Sequence, residues 1–345
     1  MGRLVKAVGT LLLAAILGTA PVLGAETLNI YNWTEYMPDS ILRDFEDEFG
    51  IRIVYDTYAN NEEMLAKLLA GGLGQYDLIV PSDYMVGIMI EEGLLEEIDH
   101  SLIPNLVHID KKYLDTPYDP GNRYSLPYLW GTTGIAYNTR YIKEPITSWN
   151  DLWNPAYARR VMLLDDSREV VGMALQALGY SANETSPEAL REARQKLIEL
   201  APRVIAYDNG IGKDLLVSEE VWIAHAWNGD AALAMEENPY ITYVLPKEGG
   251  VTWQDNLAIP KGAPNKRAAH LFINFLYRPE ISARLAREFP FGTPNVAALE
   301  LLPEEVRTNP AAYPDPEALA KAEWLEDVGE ATEEYDRIFT EMRRN

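Results

Sequence analysis

The chain has 345 residues, 47% of them hydrophobic, which is enough apolar material for two medium-sized domains. Its formal charge of −23 repels nucleic acid and anionic lipid and draws cations by long-range steering. It contains no cysteine, which excludes disulfides, thiol catalysis and a cysteine-borne lipid anchor.

Arg3 and Lys6 precede an apolar run from Ala7 to Ala20, and Pro21 to Ala25 offers a small-residue cleavage site. Residues 1–25 are therefore expected to be a secretory leader. No later stretch is long and apolar enough to span a bilayer, so the mature chain is expected to be soluble. An untethered exported protein is lost from a single-membrane cell, so the periplasm is the expected location.

From there strands and helices alternate. Leu28–Trp33 reads as a buried strand, Asp39–Phe49 as a helix stopped by Gly50, and Ile51–Tyr58 as a second strand. A helix over Asn61–Ala70 ends at Gly71-Gly72, a third strand covers Tyr76–Pro81, and Tyr84–Glu92 is helical. Helices are predicted at Ser167–Leu178 and Pro187–Leu200, with strands near Val204–Tyr207, Val221–Trp227 and Tyr240–Pro246. Helices dominate Asn265–Glu288, and the acidic tail from Pro314 has helical spacing. This order predicts parallel sheets covered on both faces, in two α/β lobes without a linker. Tyr128–Asn138 and Asp255–Pro260 are apolar without helical periodicity and are the expected crossing strands of a hinge.

Candidate binding residues cluster where parallel sheets hold ligands, at strand carboxyl ends. Trp33, Thr34, Glu35 and Tyr36 follow the first strand, and Ser82 and Tyr84 follow the third. Asp166 and Glu169, three apart at a helix start, are expected to share a face and to stay ionised under the helix dipole. Arg168 between them is expected to be structural. Trp227 ends another strand, and Trp253 and Asp255 alternate on one strand face, where the Asp would lack a core partner. Carboxylates beside aromatic faces hold organic cations: the acid accepts charged N–H bonds and the ring covers the methylenes. The four histidines have no metal-ligand spacing, and no phosphate loop, nucleophile elbow or dinucleotide fingerprint occurs, so neither metal nor cofactor is expected.

Several runs together resemble a family: Tyr31-Asn32-Trp33-Thr34-Glu35-Tyr36, Tyr76 to Ser82, Thr147 to Trp153, Asp165 to Val170, Trp227-Asn228-Gly229, Pro246 to Gly250, Leu257 to Pro260 and Gly292 to Asn295. In this order they resemble the spermidine/putrescine-binding proteins of bacterial ABC importers. The resemblance implies a type II periplasmic binding fold with two α/β lobes closing over a polyamine. The lobes would be 26–132 with 255–299, and 133–254 with 300–345. It also implies a monomer that delivers its ligand to an inner-membrane permease. By that resemblance Trp33, Thr34, Glu35 and Tyr36 hold one terminal amine, and Ser82 and Tyr84 line the cleft. Asp166, Glu169 and Asp255 take the other amines, while Trp227 and Trp253 sandwich the methylenes. Phe291 stands where the family pattern has a Tyr, and Leu325 where it has a Gln, which leaves open the preferred polyamine.

Two rivals remain at this stage. A secreted glycosidase needs paired acids with one raised pKa, which the helix dipole at Asp166 and Glu169 opposes. A sugar or amino-acid receptor of the same fold would, for an amino acid, need an Arg in the cleft.

Overall fold

The computed structural model describes residues 26–344; the expected leader lies outside them. Strands β1 (Thr27–Trp33), β2 (Arg52–Tyr58) and β3 (Leu78–Ile79) run parallel, with Ile30 of β1 opposite both Tyr55 and Leu78. Helix α1 (Asp39–Phe49) turns Ile41 and Phe45 inward and ends at Gly50, whose φ of 66° favours a residue without a Cβ. Helix α2 (Asn61–Lys67) starts under the Asn60 side chain, which accepts from the Glu63 amide. The predicted helix to Ala70 continues instead as a wide turn over Leu68–Gly72, where Gly71 has φ 113°. Helix α3 (Asp83–Glu91) follows β3.

The third strand is shorter than the sequence predicts. The Asp77 carboxylate accepts from the Asn29 amide at 2.8 Å and the Asn265 amide at 2.6 Å, so a side chain takes positions that a longer ladder would fill.

Seven further strands complete one sheet: β4 (Ser125–Asn138), β5 (Val161–Leu163), β6 (Val204–Tyr207), β7 (Ile223–Trp227), β8 (Ile241–Val244), β9 (Val251–Ala258) and β10 (Glu323–Trp324). The order is β2-β1-β3-β9-β4-β7-β5-β6, with β10 on β9 and β8 on β4. β4 is buried at all 14 positions and is shared along its length. Its first part pairs antiparallel with β9, from Ser125↔Ala258 to Thr133↔Val251. Its second part pairs antiparallel with β7, from Thr133↔Trp227 to Tyr137↔Ile223.

An apolar core lies on each side of this seam. One joins Leu28, Ile41, Phe45 and Met89 to Leu257, Phe272 and Phe275, the last two on α8 (Lys266–Leu276). The other joins Trp149, Val170, Leu197 and Ile223 to Tyr335 and Ile338 of the last helix, Thr332–Arg343. It packs α4 (Ser167–Leu178) against α5 (Pro187–Leu200). The tail is less helical than its spacing predicts, because Glu323–Trp324 extends to pair with Val251–Thr252 of β9.

Candidate functional site

Between the two cores, strand carboxyl ends converge on one cleft. β1 ends at Trp33, β3 passes through Pro81-Ser82 into α3, and β5 passes through Asp165-Asp166 into α4. β7 ends at Trp227, where α5 and a short helix α6 (Gly212–Val217) have gone before and α7 (Asn228–Glu237) begins. The cleft holds about 280 Å³. Trp33, Thr34, Glu35 and Tyr36 line it from the first turn, with Ser82 and Tyr84 beside them. Asp166, Glu169 and Trp227 face it from the other core, Trp253 and Asp255 from β9, and Phe291 and Leu325 complete the wall.

Asp255 is anchored on both oxygens. Tyr36 Oη donates to one at 2.8 Å and Ser82 Oγ to the other at 2.7 Å. The sequence left this acid without a partner; its donors come from more than 170 positions away. Tyr36 is itself held, since Tyr128 Oη donates to its carbonyl at 2.6 Å. Burial nevertheless pushes the Asp255 carboxyl up to about 7, against the two hydroxyl bonds that pull it down.

Asp166 and Glu169 depart from expectation. Asp166 is the N-cap of α4, with extended φ and ψ, and its side chain accepts from the Glu169 amide at 3.0 Å. Its carboxylate lies over the Glu169 amide, and both side chains line the cleft. The dipole does not hold Glu169 ionised near neutral pH. Burial raises both, and Glu169 is pushed up to about 8 by burial and then by the Asp166 charge. A helix terminus offers partial charge at its first turn, but these acids are nearly sealed from water and desolvation wins. Arg168 is structural as expected: it is buried over the Tyr335 ring and donates to Asn183 Oδ1 and the Glu326 carbonyl.

The aromatic walls are edge-on. Trp33 lies 6.1 Å from Trp227 at 79°, and Trp253 lies 5.5 Å from Phe291 at 62°. The Phe291 ring covers Gly229 so closely that a Cβ there would meet it at 2.4 Å, which explains the glycine after Trp227-Asn228.

Sequence reasoning missed other acids, Asp83 and Asp230 on the cleft and Glu62 behind Tyr84. Asp83 accepts from the Tyr84 and Gln254 amides, and burial pushes it to about 8. Asp230 is pushed to about 7 by burial and by Glu35. Glu62 accepts from Tyr84 Oη at 2.9 Å and is raised to about 7 by burial and then by Asp166. All three occupy first helical turns directly after strands, so the rule that selected Asp166 and Glu169 would have found them. At the mouth, Asn209 Nδ2 donates to the Ala59 carbonyl at 3.0 Å, tying one wall to the other. Altogether eight carboxylates line the cleft, and no Lys, Arg or His side chain is among its lining residues.

The chain belongs to the bacterial extracellular solute-binding proteins, whose family model matches residues 40–314. It has the two-lobed type II fold. More particularly, it is 43% identical to the spermidine/putrescine-binding periplasmic protein of Salmonella typhimurium, over 92% of each chain. A solved chain from Listeria monocytogenes superposes with a TM-score of 0.89 at 39% identity, covering 92% of this chain and 99% of its own. The substrate-binding protein of a spermidine/putrescine ABC transporter from Streptococcus pneumoniae gives a TM-score of 0.78 at 38% identity, covering 92% and 99%.

Proposed function

We propose that this chain is a periplasmic receptor that captures a polyamine, spermidine or putrescine, and hands it to an ABC importer of the inner membrane. It is not an enzyme. The observation that carries this reading is the cleft lined by eight carboxylates and no basic side chain. Such a cavity repels anions and zwitterion carboxylates, which removes the amino-acid reading. The glycosidase reading loses its ground differently, since the relatives are binding proteins.

Trp33, Thr34, Glu35 and Tyr36 hold one terminal amine, Asp166, Glu169 and Asp255 hold the others, and Ser82 and Tyr84 line the wall. Trp227, Trp253 and Phe291 cover the methylenes, with Leu325 at the inner position. Each ammonium meeting a carboxylate contributes roughly 1.5–3 kcal/mol, and each covered methylene about 0.8 kcal/mol. A monoamine leaves a buried carboxylate unpaired and is rejected. The lobes, 26–132 with 255–299 and 133–254 with 300–345, close as a monomer by bending where β4 and β9 cross. Crowded carboxylates oppose closure of the empty cleft, and the ligand's ammonium groups remove that opposition.

Calorimetry on ligand-stripped mature protein tests this. Micromolar or tighter binding is expected for at least one of putrescine, spermidine and spermine; no binding to any of them ends the proposal.

A further inference from the structure

Beneath the cleft wall, β7 carries His225 two positions before Trp227, on the same strand face. His225 is 1% exposed, and among the described residues neither ring nitrogen has a hydrogen-bond partner. Glu169 Oε2 is also buried and unpartnered, and His225 Nε2 lies 3.8 Å from it. The other oxygen, Oε1, is held by Thr133 Oγ1 at 2.8 Å and Trp227 Nε1 at 3.4 Å. Trp149 meets the imidazole edge-on at 5.2 Å, but its own Nε1 is engaged with Gln176 and the Gly249 carbonyl. It therefore offers His225 no competing hydrogen bond.

Buried donors and acceptors without partners are costly. The gap is wider than a hydrogen bond, and closing it takes about 1 Å of movement. We propose that His225 is the positioning residue for Glu169: once a cation holds Glu169 ionised, the imidazole Nε2–H donates to Oε2 and fixes the carboxylate with Oε1 toward the ligand. This rests on the cation-receptor reading of the cleft. Burial lowers the imidazole to about 3, so the ring is neutral and serves as a donor rather than as a counter-ion. The other charged groups acting on Glu169 are Asp166 at the α4 cap and Asp83 on α3, both acids that oppose its ionisation. Among the described residues, His225 is placed to stabilise the free oxygen of the anion once the gap closes.

The test compares mature wild type, His225→Met and His225→Gln. Methionine fills the pocket without a donor, and glutamine retains an N–H near the Nε2 position. Putrescine titrations from about pH 6 to about pH 9 should show about tenfold weaker binding for His225→Met, with its pH midpoint moved upward. His225→Gln should recover most of both. Equal affinity and midpoint in His225→Met, or no recovery in His225→Gln, overturns the role. Wild type needs no substitution for a further check: imidazole nitrogen spectra of the complex should show the Nε2–H tautomer, and the Nδ1–H tautomer overturns it. If wild type binds no polyamine, the receptor reading falls by itself. The positioning role is then judged by the Glu169 carboxyl carbon titration in ligand-free protein, which His225→Met should raise and whose constancy overturns it.

Discussion

The two acidic ends of the cleft are built differently. Asp255 has both oxygens fixed by hydroxyls, from Tyr36 and Ser82, on elements of the first core. Glu169 has one oxygen fixed and the other facing a dry wall, next to an Asp166 whose side chain is already engaged as a cap. Under the proposed function the first arrangement is an anchor whose carboxylate is already oriented when an ammonium arrives. The second is adjustable under the same proposal, with Glu169, raised to about 8, charging fully when a cation is present. A receptor that accepts polyamines of different length needs both kinds: one end to register the chain and another to accommodate the next amine.

Breaking the anchor should have the largest effect. Asp255→Asn converts a charge-assisted bond to a neutral one and disturbs two hydroxyl donors, so affinity for any polyamine should fall roughly a hundredfold by calorimetry. A loss below tenfold would remove Asp255 from its anchoring role.

Glu169→Gln attacks the adjustable end and should cost about tenfold in affinity. It should also raise the melting temperature of ligand-free protein near neutral pH, because a buried acid that resists ionisation is replaced by a neutral amide. Asp255→Asn should give a smaller rise, its hydroxyl donors being lost with the charge. Equal effects of the two substitutions on both measurements would erase the distinction between the ends.

Acidity provides a milder probe. Asp255 is raised to about 7 and Glu169 to about 8, so the ligand-free fold binds more protons than the unfolded chain above about pH 4. Stability of the empty protein should therefore fall as pH rises from about 4 to about 8. Polyamine affinity should move the opposite way, weakening by up to about tenfold per pH unit for each acid as pH falls below 7. Proton release on binding, read from calorimetry in buffers of different ionisation enthalpy, checks both; its absence at pH 7 would show the acids ionised before ligand arrives.

The smallest expected effect concerns Leu325, an apolar side chain on the cleft. Leu325→Gln supplies an acceptor for an inner amine, which spermidine has and putrescine lacks. Spermidine should gain about 1 kcal/mol relative to putrescine. Equal shifts for both would move the search for chain-length selection to Phe291.

What was legible in the sequence was local. α1, α4 and α5 match the predicted spans because caps and apolar spacing lie within the segment itself. β1 and β2 were read to within a residue for the same reason. β3 shrank because Asp77 bonds to Asn29 and Asn265, which no local window displays. β10 appeared within a tail of helical spacing because β9, some 70 positions earlier, offered an edge. The site followed the same division. Residues of the cleft lie where a strand ends, while the protonation of Glu169 was not legible, since depth of burial depends on the opposite wall. No role for His225 was legible, because Glu169, 3.8 Å from its Nε2, lies 56 positions away.

The seam strand also has a consequence for the order of events. The core around β1 and β3 is finished by β9 and by Phe272 and Phe275 of α8, which come after Trp149, Val170, Leu197 and Ile223 of the second core but before its Tyr335 and Ile338. A nascent chain that has reached residue 250 therefore carries a first lobe with its apolar face uncovered, while Trp149, Val170, Leu197 and Ile223 are already available to one another. Loop closure over such a separation is slow. Neither core closes before late segments arrive, the first needing α8 and the second Tyr335 and Ile338, so the early strands stay exposed to chaperones and proteases until then.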